Sequence, residues 1–278
     1  HIVYHRPIFE GVTTLTGAAA LTSRIEVGPA TLLLPFRHPT MVAKQFSCLD
    51  VQSEGRVLLT VGVGGDYPRE FAGCEVPMNE RGQRATEAIE IMKKYWTGER
   101  FDYDGKIFHL EDVDMLPTPV QPGGIPIWVS GRQEGPMKRA ARIGDGWHPY
   151  MYTADRCKIS FDQVVEFADG YDRKLPDDYA WACFIYVSLY DDLDEARKWG
   201  VKELSYRYDQ DFAELVDKYC AYGPPERVIS YLKDYIDIGV NYFILAPIMP
   251  RDDRRAHLDR LAREVIPELE KIEPPKVQ

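Results

Sequence analysis

The sequence has few cysteines, no long apolar run and no excess of positive charge. Only 5 of its 278 residues are cysteine, they are widely scattered, and no C-x-x-C pair occurs. This scarcity argues against a disulfide framework or a zinc knuckle, and it favours a reducing cytoplasm. No apolar run reaches the roughly 18 residues that a membrane-spanning helix needs, so we expect no such helix.

The balance of charge excludes two further classes of partner. The chain has 34 Lys and Arg against 44 Asp and Glu, which gives a formal net charge of −10. Proteins that bind nucleic acids or anionic membrane surfaces usually present a basic surface to the phosphates. We therefore expect neither nucleic acid nor membrane as a partner.

The residues that are present indicate an α/β protein with a large core, because 45% are hydrophobic and strand patterns alternate with helical ones. The predicted strands span residues 25–34, 56–63, 125–131, 144–150, 181–189 and 242–246. The predicted helices span residues 39–51, 80–96, 135–143, 155–170, 191–199, 211–219, 224–238 and 252–272. This order predicts a parallel sheet with right-handed crossovers in a single domain over residues 1–278.

Six predicted strands are two short of a (β/α)8 TIM barrel. The chain begins with His1 rather than Met, so we expect the first two barrel strands to precede it. Residues 99–124 do not fit a barrel helix, because they are rich in proline and contain Asp104-Gly105 between aromatic and β-branched residues. We predict an excursion there with a hairpin that turns at this pair.

Two glycine-containing segments follow predicted strands. Gly62-Val63-Gly64-Gly65 departs from the dinucleotide motif G-x-G-x-x-G, since Tyr67 stands at its sixth position. It is either a plain turn or a place where the backbone approaches a flat ligand closely. Ser130-Gly131-Arg132 precedes a helix and is either an ordinary turn or a phosphate seat.

Other candidate motifs have simpler interpretations. Asp145-Gly146-Trp147 reads as a tight turn after a helix. His1 and His5 have metal-ligand spacing, but no H-E-x-x-H motif accompanies them, and we expect no metal site. The predicted strand ends lack the paired carboxylates of glycoside hydrolases. Such apolar and neutral ends suit a planar, apolar cofactor better.

Together these segments resemble one family, the bacterial-luciferase-like, flavin-dependent oxidoreductases. The resemblance covers nearly the whole chain and includes TSRIEVGPATLLLPFRHPTMVAKQ, LDVQSEGRVLLTVGVGG and ARIGDGWHP. It is greatest to the branch that uses the deazaflavin coenzyme F420. The resemblance implies a TIM barrel that binds FMN or coenzyme F420 in its C-terminal mouth and acts on a small organic substrate.

The resemblance also implies roles for particular residues. His1 matches a histidine beside the flavin, where it would act as a general acid or base or as an oxyanion partner. Leu33-Leu34 matches a bulge after the third barrel strand, where the family often has a non-prolyl cis peptide. The implied cofactor-binding residues are Leu33, Leu34, Gly62, Val63, Gly64, Gly65, Ser130, Gly131, Arg132, Asp145, Gly146 and Trp147.

Two positions depart from the sugar-phosphate dehydrogenases of the family. Gly65 stands where they have a catalytic glutamate, and His5 stands where they have a tryptophan, so a sugar-phosphate substrate is in doubt. We expect hydride transfer or oxygenation by a cytoplasmic homo-oligomer, a dimer. The alternatives are a non-catalytic flavin-binding protein and a TIM-barrel hydrolase.

Overall fold

The computed structural model describes residues 1–2, 7–65 and 67–277, and His5 and Asp66 lie outside this part of the chain. The chain divides into two compact units, His1–Trp147 and His148–Gln278. Both contain parallel strands and helices, in the alternating order that the sequence predicts. No helix among the described residues is both long enough and apolar enough to cross a membrane.

The first unit is built on three short parallel strands. β1 is Leu32–Leu33, β2 is Leu59–Gly62 and β5 is Ile127–Ser130. Leu33 lies opposite Gly62 in the β1–β2 pair, and Leu59 lies opposite Ile127 in the β2–β5 pair. Because the pairs are parallel, the carboxyl ends of the three strands meet at one edge. β2 and β5 are buried along their length, as strands covered on both faces are.

The helices of the first unit follow these strands: α1 Gly11–Leu21, α2 Pro39–Ser53, α3 Pro68–Gly73, α4 Arg81–Tyr95 and α5 Glu134–Ile143. The predicted helices at α2, α4 and α5 are confirmed. α1 escaped prediction because its threonines, glycines and alanines give no apolar period. Its carboxyl end is held by Arg56, whose guanidinium donates to the carbonyl oxygens of Ala19 and Thr22 at 3.1 and 2.9 Å.

The predicted hairpin is confirmed. β3 (Phe101–Asp104) and β4 (His109–Val113) form a separate antiparallel sheet, and Gly105 N donates to Phe108 O at 2.9 Å across the turn. Glu87 on α4 holds this turn. Its buried carboxylate accepts the backbone N–H groups of Lys106, Ile107 and Phe108 at 2.9, 3.1 and 3.0 Å.

β6 (Gly146–His148) contains the last residues of the first unit and the first of the second. In the second unit, β7 (Ala180–Leu189) pairs in parallel with β8 (Cys220–Gly223) and with β9 (Tyr242–Pro247). β8 was not predicted, since CAYG is too short to show alternation. The helices before the closing segment of this unit are α6 Ala154–Asp169, α7 Leu193–Tyr208, α8 Val216–Tyr219 and α9 Pro225–Ile236.

The predicted helix over residues 252–272 is present from Arg251 to Leu269, but its hydrogen-bond pattern changes along its length. The segment consists of a 3₁₀ turn at Arg251–Asp253, then α10 (Arg254–Arg260), a π-helical turn at Leu261–Val265 and α11 (Ile266–Leu269). Pro267 explains the change, because proline has no N–H to donate to the preceding turn and its ring crowds that turn's carbonyl.

Candidate functional site

Glycines leave the backbone uncovered at the carboxyl edge of β1 and β2. A Cβ on Gly62 would come within 2.9 Å of Thr31 Cγ2, and one on Gly64 within 3.4 Å of Leu33 Cδ1. Gly64 and Gly65 have φ values of +65° and +141°, which favour glycine. The backbone here is therefore bare beside Leu33, a surface that suits the face of a planar ring.

His1 is held near this edge by a carboxylate that sequence reasoning missed. Nδ1 of His1 lies 2.7 Å from Oε2 of Glu70, and the backbone N–H of Ile2 donates to Oε1 of Glu70 at 2.6 Å. The Glu70 side chain is 2% exposed and that of His1 30% exposed. Glu70 belongs to α3, which begins three residues after Gly65. A single glutamate between Arg69 and Phe71, in an unpredicted six-residue helix, had no sequence signal.

Aromatic rings connect α3 to the glycine edge. Tyr67, just before α3, makes an edge-to-face contact with the His1 ring, with centroids 5.4 Å apart. Phe71 on α3 makes a similar contact with Phe36 at 4.7 Å. Phe36 Cζ would in turn lie 3.7 Å from a Cβ on Gly64. His1 and the Gly62–Gly65 segment thus belong to one connected cluster.

Cys74, at the end of α3, is not an activated thiol. Burial raises the pKa of Cys74, and the nearby Glu70 carboxylate raises it further, while Arg37 partly opposes them. A thiol with a raised pKa is mostly protonated at neutral pH and is therefore a poor nucleophile. Among the described residues, no group of three or more His, Cys, Asp and Glu side chains is arranged to hold a metal ion.

The Ser130–Arg132 segment leaves β5 and leads into α5. Gly131 has a φ of +143°, and its carbonyl oxygen accepts the indole N–H of Trp147 at 3.1 Å. Arg132 is exposed, and no side chain caps the amino end of α5. The structure therefore joins Trp147 to Gly131 and presents Arg132 beside uncapped backbone N–H groups, the kind of setting in which phosphates bind.

Asp145 lies elsewhere. Its carboxylate accepts Lys93 Nζ at 2.8 and 2.9 Å and the backbone N–H of Ile127 at 2.9 Å, and its own N–H donates to Ile127 O at 2.7 Å. Ile127 is the first residue of β5, so Asp145 is at the opposite end of that strand from Ser130. This geometry ties the start of β5 to α4 and lends no support to the prediction that Asp145 contacts a cofactor.

The segment around β1 differs in detail from expectation. The non-prolyl cis peptide bond joins Ala30 and Thr31 rather than Leu33 and Leu34. Leu34 is 1% exposed and begins a 3₁₀ turn, whereas Leu33 stays half-buried at the edge. Gly62 and Gly146 are buried, and Val63 is half-buried. Leu33 is thus the better placed of the two leucines to contact a ligand.

An apolar pocket of about 360 Å³, open to solvent, lies beside α1. Its lining residues are Ile8, Phe9, Gly11, Thr14, Leu15 and Pro29. None of them is a predicted site residue. The assignment of a ligand pocket to His1, Leu33, Leu34, Gly64 and Ser130 therefore stays a prediction.

Parallel strands that alternate with helices define an α/β protein, and proteins of this architecture bind ligands at the carboxyl ends of their strands. Residues 1–242 match the family described as luciferase-like monooxygenase. The match spans most of the chain, and the chain belongs to this family. The family is one of oxidoreductases, which confirms the predicted enzyme class.

Individual relatives agree with this assignment. The chain is 25% identical over 282 residues to an F420-dependent glucose-6-phosphate dehydrogenase of Nocardia farcinica, covering 92% of this chain and 82% of the relative. An F420-dependent secondary alcohol dehydrogenase, solved with an F420–acetone adduct, gives a TM-score of 0.82 at 20% identity over 94% of this chain and 84% of that one.

An FMN-bound structure is also similar. The oxygenating constituent of 3,6-diketocamphane monooxygenase from Pseudomonas putida, a type II Baeyer–Villiger monooxygenase, gives a TM-score of 0.76 at 20% identity. It covers 96% of this chain and 85% of that one. The likeness to these structures confirms the predicted fold class, the luciferase-like TIM barrel.

Proposed function

We propose that this protein is an oxidoreductase that uses coenzyme F420, or else FMN, to transfer hydride to or from a small organic substrate or to oxygenate it. The observation that carries the proposal is the cluster of His1, Glu70 and the glycine edge in the first unit. There a titratable side chain adjoins bare backbone, which is what a redox ring and its proton donor or acceptor require.

The residues at the edge fit a planar cofactor. Leu33 offers an apolar contact, and the backbone of Gly62, Gly64 and Gly65 permits close approach without side-chain collisions. When bound, the cofactor supplies the hydride or oxygen chemistry. The protein holds the ring, orients the substrate against it and keeps water from the reacting atoms.

His1 is the proposed catalytic residue. Its Nδ1 contacts Glu70, so its Nε2 is the nitrogen that would hold or release a proton at the substrate. A positioned general acid or base typically accelerates a reaction by about 10²- to 10⁴-fold. We therefore expect His1→Ala to lower kcat by a factor in this range while cofactor binding persists.

Coenzyme F420 is the preferred cofactor, because the relative that matches by sequence over 92% of this chain is named for F420 dependence. The substrate is proposed to differ from glucose 6-phosphate. Gly65 provides no carboxylate, and among the described residues a Cβ there would have only Arg81 Nε within 4 Å, at 3.7 Å. A small alcohol or ketone would not need the glutamate that the resemblance places at this position in sugar-phosphate dehydrogenases.

We also propose a homodimer in the cytoplasm. All five cysteines are free thiols, which suits a reducing compartment. Sedimentation would measure the assembly state directly.

The deciding experiment is calorimetric titration of the purified chain with F420 and with FMN, followed by reduction of the bound cofactor with candidate alcohols. Binding of F420 with turnover supports the proposal. Binding without turnover against a broad set of donors and acceptors would favour a cofactor carrier. Absence of binding to either cofactor would rule the proposal out.

A further inference from the structure

We propose that Glu70 is a positioning residue that fixes the orientation and tautomer of His1. This inference rests on the proposed function, because it concerns the residue that exchanges the proton there. Glu70 itself does not touch the reacting atoms. It would act by keeping the proton of neutral His1 on Nδ1, so that Nε2 is the nitrogen that exchanges a proton.

The burial of Glu70 makes this contact specific. A carboxylate that is 2% exposed has lost most of its water, and it needs hydrogen-bond donors in exchange. Glu70 has two, one on each oxygen: Nδ1 of His1 at 2.7 Å and the backbone N–H of Ile2 at 2.6 Å. The two donors belong to adjacent residues, His1 and Ile2, which are 69 and 68 positions from Glu70 in the sequence.

The two bonds constrain different things. The hydrogen bond from Ile2 N fixes the backbone next to His1, so it sets the position from which the His1 side chain extends. The bond at Nδ1 fixes the rotation of the ring, because an ionised carboxylate only accepts hydrogen bonds and therefore selects the tautomer with N–H at Nδ1. The edge of Tyr67 against the ring, with an interplanar angle of 81°, restricts the same rotation.

A purely structural role for Glu70 would predict something different. If Glu70 only anchored the chain at Ile2, its loss would change stability without changing the tautomer of His1. The tautomer is therefore the measurement that separates the two roles, and it can be made without cofactor or substrate.

The test uses the full chain labelled with ¹⁵N-histidine and two-bond ¹H–¹⁵N spectra at a pH where His1 is neutral. The signals of His1 are assigned by their loss in His1→Gln. We expect the Nδ1–H tautomer in the unmodified chain and its loss in Glu70→Ala. Glu70→Gln has one oxygen, which the Ile2 N–H takes, so its NH2 group faces Nδ1 and should favour the Nε2–H tautomer instead. Exposed Glu75→Ala, five residues along, is the matched control. Near-UV circular dichroism checks that each variant is folded.

Turnover provides the second measurement. Glu70→Ala should lower kcat by about 10- to 100-fold with little change in KM, since a misplaced catalytic group is still present. An unchanged tautomer in folded Glu70→Ala overturns the inference, whether or not the chain binds F420. A changed tautomer with unchanged turnover would leave Glu70 as the residue that positions His1 and would instead remove His1 from the proposed mechanism. If Glu70→Ala does not fold, Glu70→Asp replaces it, because its shorter side chain cannot reach both donors.

Discussion

At the scale of single residues, Arg132 is the best test of the proposed phosphate seat. It is exposed at the amino end of α5, where the backbone N–H groups have no side-chain cap. A charge-assisted hydrogen bond to phosphate is worth roughly 1.5–3 kcal/mol. Arg132→Ala should therefore weaken cofactor binding by about 10- to 150-fold in a calorimetric titration. Arg24→Ala, another exposed arginine of the first unit, should leave the affinity unchanged, and equal affinities for both variants would remove Arg132 from the site.

Gly131 has a structural role that must be separated from any ligand contact. Its φ is +143°, and a Cβ would lie 2.6 Å from Pro136 Cγ. Gly131→Ala should thus destabilise the fold by about 2 kcal/mol, measured by urea denaturation.

Gly17, in the interior of α1, has no atom within 4 Å of its Cβ position. Gly17→Ala should instead stabilise the fold by about 0.5–1 kcal/mol, and loss of stability there would contradict this account.

At the scale of elements, the turn of the hairpin depends on one carboxylate, that of Glu87. Glu87→Ala would leave three backbone N–H groups of the turn without their acceptor. Losing the charge-assisted bonds from these three backbone donors to a buried carboxylate should cost about 3 kcal/mol or more. Hydrogen exchange at Lys106, Ile107 and Phe108 should accelerate first, because the strands keep other contacts with α4, among them the hydrogen bond from Tyr103 OH to Glu90 at 2.6 Å. Glu111→Ala on exposed β4 is the control, and similar exchange in both variants would show that Glu87 does not hold the turn.

The same hairpin shows what sequence could and could not predict. The pair Asp104-Gly105 correctly predicted where the turn lies, but it did not show why glycine is needed there. Gly105 has an ordinary φ, and a Cβ there would lie only 2.3 Å from Glu87 Oε2. Such long-range contacts have no local signature. For the same reason Glu70 left no signal in the sequence. The resemblance grouped Asp145 with Ser130–Arg132 as cofactor-binding residues, but Asp145 lies at the opposite end of β5 from Ser130.

Periodicity predicted the long elements well and the short or interrupted ones poorly. The amphipathic patterns of α4 and α9 gave nearly correct bounds, since a helix of that length repeats its apolar face several times. β8 and α3 are too short to repeat anything. Pro267 was visible in the sequence, but its effect on the π-helical turn at Leu261–Val265 depends on the surrounding packing.

At the scale of the whole molecule, a buried histidine should set the sensitivity to acid. Burial lowers the pKa of His148 from 6.5 to about 4. Between pH 6.5 and pH 4 the unfolded chain therefore binds a proton at His148 that the folded chain does not. The contribution of His148 to the free energy of unfolding is fully present above about pH 6.5 and is lost as the pH falls toward 4. We expect the free energy of unfolding to drop by about 2 kcal/mol between about pH 7 and pH 5.

Chemical denaturation across this range checks that expectation. His148→Gln should flatten the pH dependence even if it lowers stability overall. His109→Gln, at an exposed position of β4, should keep the slope of the unmodified chain. A slope that survives in His148→Gln would assign the acid sensitivity to other groups.

The contact of Glu87 with the turn has a consequence for how freely the hairpin can diverge. The carboxylate binds backbone N–H groups, and every residue except proline supplies one. Asp102, Asp104, His109 and Glu111 are exposed and take no part in that contact. Natural variation, or deliberate grafting of a foreign peptide, can therefore rewrite the outer face of the hairpin without detaching it, provided that Gly105 remains and no proline enters residues 106–108.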